Sequence, residues 1–444
     1  MNLLFFLIVV NFLKIIISRY FPLIGDEAYY WLWSKHLDLS YVDHPPMISY
    51  VNFFLTTIFG DNEFAIRLAA ITIILFISGI IYLTSKELYG EKAGVYSVIL
   101  FNLLPLFFGG GLLLVPQTLL FFFWTLSFYF LIKINQTNKA HYWYGLGIIM
   151  GLGMLSDYIM FLFPVGLGIY LFLSPKQRFW ITKKEPYLCL VIALAIFSPV
   201  IFWNFLHHFP SLSYHGERAK GFNLQSILNF VILQMVLFTP FLFFETIRKI
   251  KHLDLLGIFS GVVFIPFALL SPFVTIGGHW PATAYLPSLV ETKTLKKWTF
   301  AATVVFALFI NALALTYYLF LYPTSPNLLP NSELKHFIKN LPPHTLIISN
   351  NLGLAALVAF HGKTKVYLPP GRHPQYDLWG KPNLKRGDNI VYFALDEPDL
   401  YEKLIPLFEK VEIDPQKRIF TKDSDIPTKT QIFIAKNFRG GDIP

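Results

Sequence analysis

Two pairs of adjacent polar residues near the N-terminus have the side chains that a reaction site needs. Asp26 and Glu27 follow closely on an apolar run, and Asp43 and His44 lie further along the same polar stretch. A carboxylate within hydrogen-bond reach of a hydroxyl can accept its proton as a general base. Aromatic side chains dominate residues 29–33, and they suit either a sugar ring or the membrane interface. The alternative interpretation is a solvated loop with an interfacial aromatic belt.

The elements that hold these residues are predicted to cross a lipid bilayer. Of the 444 residues, 55% are hydrophobic and 14% are charged, whereas soluble domains carry about 25% charged residues. The mean hydropathy is +0.53, and several apolar runs approach the roughly 20 residues that cross hydrocarbon. Residues 1–18 lack a basic start and a small-x-small cleavage site. We therefore interpret them as the first transmembrane helix rather than as a signal peptide.

Two other classes, nucleic-acid-binding proteins and disulfide-stabilised proteins, are not favoured by the sequence. A formal charge of +9 is common in nucleic-acid-binding proteins, but basic residues near membrane helices are explained by topology and anionic lipid. We therefore expect membrane lipids, and no nucleic acid, among the partners. The single cysteine, Cys189, lies in an apolar run, which excludes a disulfide framework.

Apolar segments predict about eleven transmembrane helices. After the first, they lie near residues 64–85, 93–113, 117–133, 142–156, 158–173, 187–206, 227–247, 255–271, 279–290 and 298–321. Cations concentrate in alternate loops, and the positive-inside rule places those loops in the cytoplasm. The outer-face loop 19–63, the loop 207–224 and everything after residue 322 then lie outside, which agrees with an odd number of spans. The predicted domains are a transmembrane domain, 1–322, and an extracytoplasmic domain, 323–444.

Residues 323–444 are predicted to form a soluble α/β domain. Short runs at 345–349, 366–368, 389–394 and 431–435 have strand character. Residues 352–360 and 400–408 have helical character. No Gly-x-Gly-x-x-Gly follows a strand, so we predict no nucleotide site.

Within the spans, Gly147 and Gly151 have the small-xxx-small spacing that is typical of close helix packing. We predict a packing face at these two residues rather than a ligand site.

Asp26-Glu27 is followed at residues 41–46 by Tyr-Val-Asp-His-Pro-Pro. With these motifs, the first loop resembles that of a known family, the bacterial polyprenyl-phosphate-dependent glycosyltransferases of the C-type fold. This family includes protein O-mannosyltransferase-like enzymes and the lipid A aminoarabinose transferase. Its pattern is Asp-Glu at the end of the first span, followed by Tyr-x-(Asp/Glu)-(His/Lys)-Pro-Pro. Asp26-Glu27 and residues 41–46 match it in order and spacing. Further family landmarks are Trp203-Asn204, His279-Trp280-Pro281-Ala282, residues 375–379 and residues 437–441.

The resemblance implies sugar transfer from a lipid-phosphate donor, such as an undecaprenyl-phosphate sugar, on the outer side of the inner membrane. An acceptor hydroxyl would displace the phosphate from the anomeric carbon with inversion, and it must lose a proton to a base. Asp26 is the residue that we expect in that role. Glu27 would assist it, hold a metal, or cap and orient the following helix.

The leaving phosphate needs cations or hydrogen-bond donors where its negative charge develops. The residues that we expect around the donor phosphate and sugar are His44, Asp43, Tyr41, Tyr30, Arg67, His215, Arg218, Lys220, Asp157 and Gln117. The alternative for Arg67 is snorkelling to the interface, and the alternative for residues 214–218 is a solvated loop. Asp43, His44 and His215 offer the ligands of a divalent metal site. Their spacing does not demand a metal, and no cofactor is otherwise required.

Two positions depart from the family pattern. The family often has a Thr-Pro-Asp-like element before the fourth span, where this chain has Gln117 instead of the acid. It also often has Leu-Ser-Lys-Tyr between two later spans, where this chain has Asp157 instead of the lysine. We predict that Gln117 and Asp157 face the same cavity and that Asp157 partly replaces the missing acid. The missing lysine also removes one expected phosphate partner.

The acceptor is left open among lipid A, lipopolysaccharide core, another envelope lipid or glycan, and a protein Ser or Thr. By analogy within the family we favour an envelope lipid or glycan. Two other functions are a transporter or flippase of a lipid-linked glycan, and a non-catalytic homologue that binds lipid glycans. A transporter should have ionisable residues near the middle of the bilayer and paired halves. This sequence has its acids at the outer ends of spans and no visible internal repeat.

Overall fold

The structure, a computed structural model, describes residues 2–19, 21, 23–216, 221–317, 336–342, 345–414 and 430–444. The chain divides into two compact units. The helical unit comprises Met1–Tyr20, Leu39–Ile48 and Phe64–Leu315. The mixed unit comprises Phe21–Asp38, Ser49–Glu63 and Thr316–Pro444. Two pieces of the predicted outer-face loop therefore belong to the same unit as the C-terminal residues.

Helices account for most of the described residues before 317. In chain order they are α1 Leu3–Ser18, α2 Gly25–Trp33, α3 Met47–Phe59, α4 Glu63–Tyr89, α5 Glu91–Leu103, α6 Pro105–Phe108, α7 Pro116–Thr137, α8 His141–Met154, α9 Leu162–Leu173, α10 Glu185–Leu206, α11 Pro210–Gly216, α12 Leu224–Phe238, α13 Pro240–Ile250, α14 Leu255–Leu270, α15 Leu286–Val290 and α16 Lys297–Thr316. Short 3-10 turns, including Tyr158–Phe161 and Trp280–Tyr285, lie between some of them. Over its described residues, each predicted span coincides with one helix or with consecutive helical segments. Residues 318–321 of the last predicted span lie outside the described part of the chain. The helical character is confirmed, and the number of eleven spans stays a prediction.

Four helices in the described part of the chain are long and apolar enough to cross a membrane, namely α4, α7, α10 and α16. The number rises to six if two bent pairs, α5 with Pro105–Leu112 and α12 with α13, each form one broken span. These pairs bend by 74° and 110°. Each second half begins with a proline, which cannot donate the backbone hydrogen bond of a continuous helix. The chain is therefore a polytopic helical membrane protein.

Helices α8 and α10 pack closely because α8 has glycines on its facing side. A Cβ atom added to Gly147 would lie 2.6 Å from the backbone O of Cys189. One added to Gly151 would lie 3.0 Å from the backbone O of Ala193. The prediction of a packing face at these glycines is confirmed. Cys189 is buried with a free thiol, as its apolar surroundings in the sequence indicated.

The C-terminal part of the mixed unit contains a five-stranded sheet. Its strands are β1 Leu346–Ser349, β2 Val366–Tyr367, β3 Ile390–Leu395, β4 Phe408–Asp414 and β5 Thr430–Phe438. Their order is β2-β1-β3-β5-β4, with β1 parallel to β2 and β3, and β5 antiparallel to β3 and β4. Helices α17 Leu352–Gly362, α18 Pro374–Trp379 and α19 Leu400–Leu404 connect the strands. The four strands expected from the sequence are all present.

The prediction of a helix over residues 400–408 was too long, and β4 was missed. Helix α19 ends at Leu404, a 3-10 turn follows at Ile405–Leu407, and β4 begins at Phe408. Pro406 lies in that turn and cannot donate a hydrogen bond to a continuing helix. β4 is an edge strand with a charged exposed side, which is how proteins protect sheet edges. That composition weakens the apolar alternation by which strands are recognised.

Candidate active site

The two adjacent carboxylates of helix α2 differ in their exposure to solvent. Glu27 is fully buried, and its Oε2 accepts a hydrogen bond from the backbone N–H of Ile24 at 3.3 Å. This contact satisfies one of the free N–H groups at the start of the helix. Asp26 is exposed in the same first turn, where the helix dipole favours a negative charge. Of the two carboxylates, Asp26 is therefore the one that another molecule can reach.

The aromatic residues that follow Asp26 are packed inside the mixed unit. The rings of Tyr29 and Tyr30 contact Trp33, with centroids 5.3 and 5.1 Å apart. The indole N–H of Trp31 donates to Asp61 Oδ1 at 2.8 Å. All four rings are buried. This cluster holds α2 in one orientation and so determines where the Asp26 carboxylate points.

In the helical unit, the segment with Tyr41, Asp43 and His44 is held by α11. The hydroxyl of Ser211 donates to the carbonyl O of Tyr41 at 3.2 Å. Nε2 of His215 lies 2.9 Å from the carbonyl O of Asp43, and since a carbonyl can only accept, this nitrogen carries the proton. The rings of His44 and His215 have centroids 6.3 Å apart. The fold thus brings together residues that are far apart in the sequence.

Gln117 and Asp157 are direct neighbours. Gln117 Nε2 donates to Asp157 Oδ2 at 3.0 Å, and His44 Nδ1 lies 3.6 Å from the same oxygen. Asp157 Oδ1 accepts from the backbone N–H of Ile159 at 2.8 Å. Asp157 is only 2% exposed and lies in the turn after α8, outside both adjoining helices. Burial raises its pKa to about 6, although the hydrogen bonds from Ile159 and Gln117 act in the opposite direction.

Two buried cations bind the bent pair formed by α5 and Pro105–Leu112, which leads to Gln117 and is called the broken span below. Arg67 Nη1 donates to the carbonyl O of Leu112 at 2.8 Å, and Lys14 Nζ donates to the carbonyl O of Phe107 at 2.8 Å. Arg67 is 2% exposed and Lys14 is fully buried. Arg67 therefore does not snorkel to water. Lys14 was missed from the sequence, where its only signal is a lone lysine in the apolar run of α1.

The metal site expected at Asp43, His44 and His215 stays a prediction. Among the described parts of the chain, no three or more His, Cys, Asp or Glu side chains are placed to hold a metal ion. His215 instead donates to the backbone of Asp43. Arg218 and Lys220, also expected near the donor, lie outside the described residues.

Comparison with known sequences identifies related glycosyltransferases. Residues 43–203 match the profile of the dolichyl-phosphate-mannose-protein mannosyltransferase family. The lipid A galacturonosyltransferase RgtD of Rhizobium johnstonii is 26% identical over 284 residues, which are 60% of this chain and 59% of that protein. The undecaprenyl phosphate-alpha-4-amino-4-deoxy-L-arabinose arabinosyl transferase of Wigglesworthia glossinidia brevipalpis is 28% identical over 151 residues, 32% of this chain and 27% of that protein. The matches span less than two thirds of either curated relative.

Comparison with solved structures extends over nearly the whole chain. ArnT from Cupriavidus metallidurans bound to undecaprenyl phosphate superimposes with a TM-score of 0.70 at 14% identity, covering 97% of both chains. The apo state of the same protein gives a TM-score of 0.73 with the same coverage. At this level of identity the likeness establishes a shared fold.

Proposed function

We propose that this chain, which belongs to the C-type glycosyltransferases of the protein mannosyltransferase and ArnT family, transfers a sugar from a polyprenyl-phosphate donor to an envelope acceptor. The observation that carries this proposal is the sequence similarity to a lipid A galacturonosyltransferase. The shared fold with a protein crystallised with undecaprenyl phosphate supports the choice of an undecaprenyl-phosphate sugar as donor.

Asp26 is the general base of the proposed reaction. The acceptor oxygen forms a bond to the anomeric carbon while the bond from that carbon to the phosphate oxygen breaks. The acceptor proton passes to the Asp26 carboxylate, and the phosphate leaves on the polyprenyl chain with the bonding electrons. The exposed position of Asp26 in the first turn of α2 supports this role. Glu27, which caps the helix, orients Asp26.

The donor phosphate is expected among cations and hydrogen-bond donors. We assign His44 and His215 to it. Arg67 of α4, which binds the broken span through the carbonyl O of Leu112, supports the site. Further proposed contacts to the donor phosphate or sugar are Asp43, Tyr41, Tyr30, Gln117, Asp157, Arg218 and Lys220. No metal is required in this scheme, and a chelator should leave turnover unchanged.

The proposed topology has eleven spans and a cytoplasmic N-terminus. The first loop, the loop 207–224 and the residues after 322 then lie on the outer face of the inner membrane, with 1–322 as the transmembrane domain and 323–444 as a soluble domain. The concentration of cations in alternate loops supports this. Labelling of Asp38→Cys in a Cys189→Ala background by an impermeant maleimide on intact cells tests it. Labelling only after lysis would contradict it.

Lipid A is the acceptor that we favour because the galacturonosyltransferase that this chain resembles acts on it. Lipopolysaccharide core, another envelope glycan and a protein hydroxyl are the acceptors to compare with it.

The decisive experiment is transfer in vitro from a panel of undecaprenyl-phosphate sugars to these acceptors. Asp26→Asn should lower kcat about 100-fold or more, because positioned general bases contribute roughly 10²–10⁴ in rate. Donor binding should be retained. The matched control is Asp38→Asn, an exposed carboxylate of the same loop, which should turn over like the wild type. Equal rates for Asp26→Asn and the wild type would show that Asp26 is not the general base.

A further inference from the structure

The mixed unit carries a group of lysines and aromatic rings that the proposed reaction does not use. Lys35 and His36 lie two and three residues after the end of α2, and Lys363 and Lys365 lie one and three residues after the end of α17. Trp379 is the last residue of α18. Trp379 is half-buried, and the other four are exposed. These five residues are called the lysine–tryptophan patch below.

The patch has a flat aromatic component. The imidazole of His36 stacks on the indole of Trp379, with ring centroids 4.8 Å apart and an interplanar angle of 22°. Lys365 Nζ lies over the ring of Tyr367, 4.7 Å from its centroid. Burial and the charge of Lys365 both lower the pKa of His36. Flat rings beside a cation suit a sugar, whose C–H face packs on an aromatic surface and whose anionic substituents pair with lysine.

The patch also has a net positive charge. Lys35 Nζ lies 2.7 Å from Asp61 Oδ1, and Lys363 Nζ donates to the carbonyl O of Asp61 at 2.9 Å. Both ammonium groups lie over the ring of Trp31, at 5.3 and 4.7 Å from its centroid. The Asp61 carboxylate therefore offsets one of the three lysine charges of the patch. The remaining charge favours an anionic ligand.

Helix α2 connects the patch to Asp26. Lys35 comes nine residues after Asp26, so a rise of about 1.5 Å per residue separates them by roughly 14 Å along the helix direction. A molecule whose hydroxyl is at Asp26 would meet the patch with a different part of its structure. Binding energy from so remote a contact is expected in the ground state and the transition state alike, so it lowers KM without changing kcat.

We propose that the lysine–tryptophan patch binds the phosphate-bearing saccharide head group of the acceptor glycolipid. This inference rests on the proposed function and adds the part of the protein that selects the acceptor. The saccharide ring lies against Trp379 and His36, and its phosphate pairs with Lys35 and Lys365.

The test compares lipid A that carries its phosphates with the same lipid after enzymatic dephosphorylation. The double variant Lys35→Gln and Lys365→Gln should raise KM for the phosphorylated acceptor roughly tenfold, because charge-assisted hydrogen bonds are lost. Its kcat and its KM for the dephosphorylated acceptor should stay at wild-type values. Trp379→Ala should raise KM for both acceptors. The matched control is Lys410→Gln, an exposed lysine on β4, which should change neither.

Several results would overturn the inference. They are an unchanged KM for phosphorylated lipid A, an equal rise with the dephosphorylated lipid, and a rise in KM for the donor, which also carries phosphate. Binding of both lipids by the full chain in nanodiscs, without donor, is measured in parallel. Absence of turnover with every donor and acceptor would refute the proposed function, whereas weaker binding of phosphorylated lipid A by the double variant would still support the patch. If Trp379→Ala fails to fold, Trp379→Leu removes the same aromatic face with less loss of volume.

Discussion

Gln117 Nε2 donates a 3.0 Å hydrogen bond to Asp157 Oδ2, so the two positions at which this chain departs from the family pattern are in direct contact. The acid that is missing at position 117 is matched by an acid at position 157. The family pattern has an acid at the first position and a lysine at the second, whereas this chain has an amide at the first and an acid at the second. Both arrangements contain one carboxylate. Two carboxylates at this distance in a buried turn would repel each other.

The first prediction concerns this pair. Gln117→Asp should impair sugar transfer because it places two acids in contact, and the swap Gln117→Asp with Asp157→Gln should restore part of the loss. Values of kcat/KM for the wild type, both single variants and the swap give the coupling free energy between residues 117 and 157, which we expect to be about 1–3 kcal/mol. Gln225→Asp, at an exposed position of α12, is the control. Additive losses in the double variant would show that the two residues act independently.

The second prediction concerns Lys14 of α1 and Arg67 of α4, the two cations that bind the broken span. Lys14→Met and Arg67→Met should each lower stability by about 1–3 kcal/mol, because each leaves a buried carbonyl without its charged donor. The measurement is thermal unfolding of the purified chain in detergent. Lys92→Met replaces an exposed lysine of α5 and should unfold like the wild type. Wild-type stability of Lys14→Met would mean that the Phe107 carbonyl finds another donor.

The third prediction concerns the close approach of α8 and α10. Gly147→Ala should destabilise the protein by about 1–3 kcal/mol, because its new methyl group would overlap the backbone of Cys189. Gly79→Ala is the matched control, since a Cβ there meets nothing within 4 Å. It should be neutral or slightly stabilising. Thermal unfolding in detergent separates the two, and equal melting temperatures would show that the helices can move apart at little cost.

The fourth prediction concerns the pH dependence of the mixed unit. Burial disfavours ionised Glu397, but hydrogen bonds from Asn350 and Lys403 and the charge of Arg372 outweigh this and hold its pKa below the usual value. Because folding lowers this pKa, the ionised carboxylate stabilises the fold at pH values above the usual pKa of 4.5. That stabilisation is lost as the pH falls through the pKa of the folded state. Glu397→Gln should therefore lower protection of β3 from hydrogen exchange at neutral pH.

The same comparison in acid completes that test. The difference between Glu397→Gln and the wild type should shrink as the pH falls below 4.5 and through the lowered pKa of the folded state, where the wild-type carboxyl becomes protonated too. Glu402→Gln, at an exposed position of α19, is the control. A difference that persists unchanged in acid would mean that the carboxylate charge is not its cause.

The family pattern in the sequence was specific enough to locate the neighbouring pair in advance. Gln117 and Asp157 stood out because each replaced an expected residue, and both were predicted to face the same cavity. Lys14 offered no such signal, because a single lysine in an apolar helix is compatible with many positions. Its partner, a backbone carbonyl, is present at every residue and leaves no mark in the sequence. The role of Glu27 was open for a related reason, since a carboxylate can cap a helix or react.

The sequence by itself determined the helical, apolar character of the chain before residue 317, the packing face on α8, the strands of the sheet other than β4, and the resemblance to a family of glycosyltransferases. These features depend on local apolar patterns and on motifs, which can be recognised in the linear sequence. The tertiary structure alone decided that Asp26 is exposed while Glu27 is buried, that Lys14 and Arg67 bind the broken span, and that His36 stacks on Trp379 from far along the chain. Burial and long-range contacts depend on which elements come together, and no local pattern specifies that.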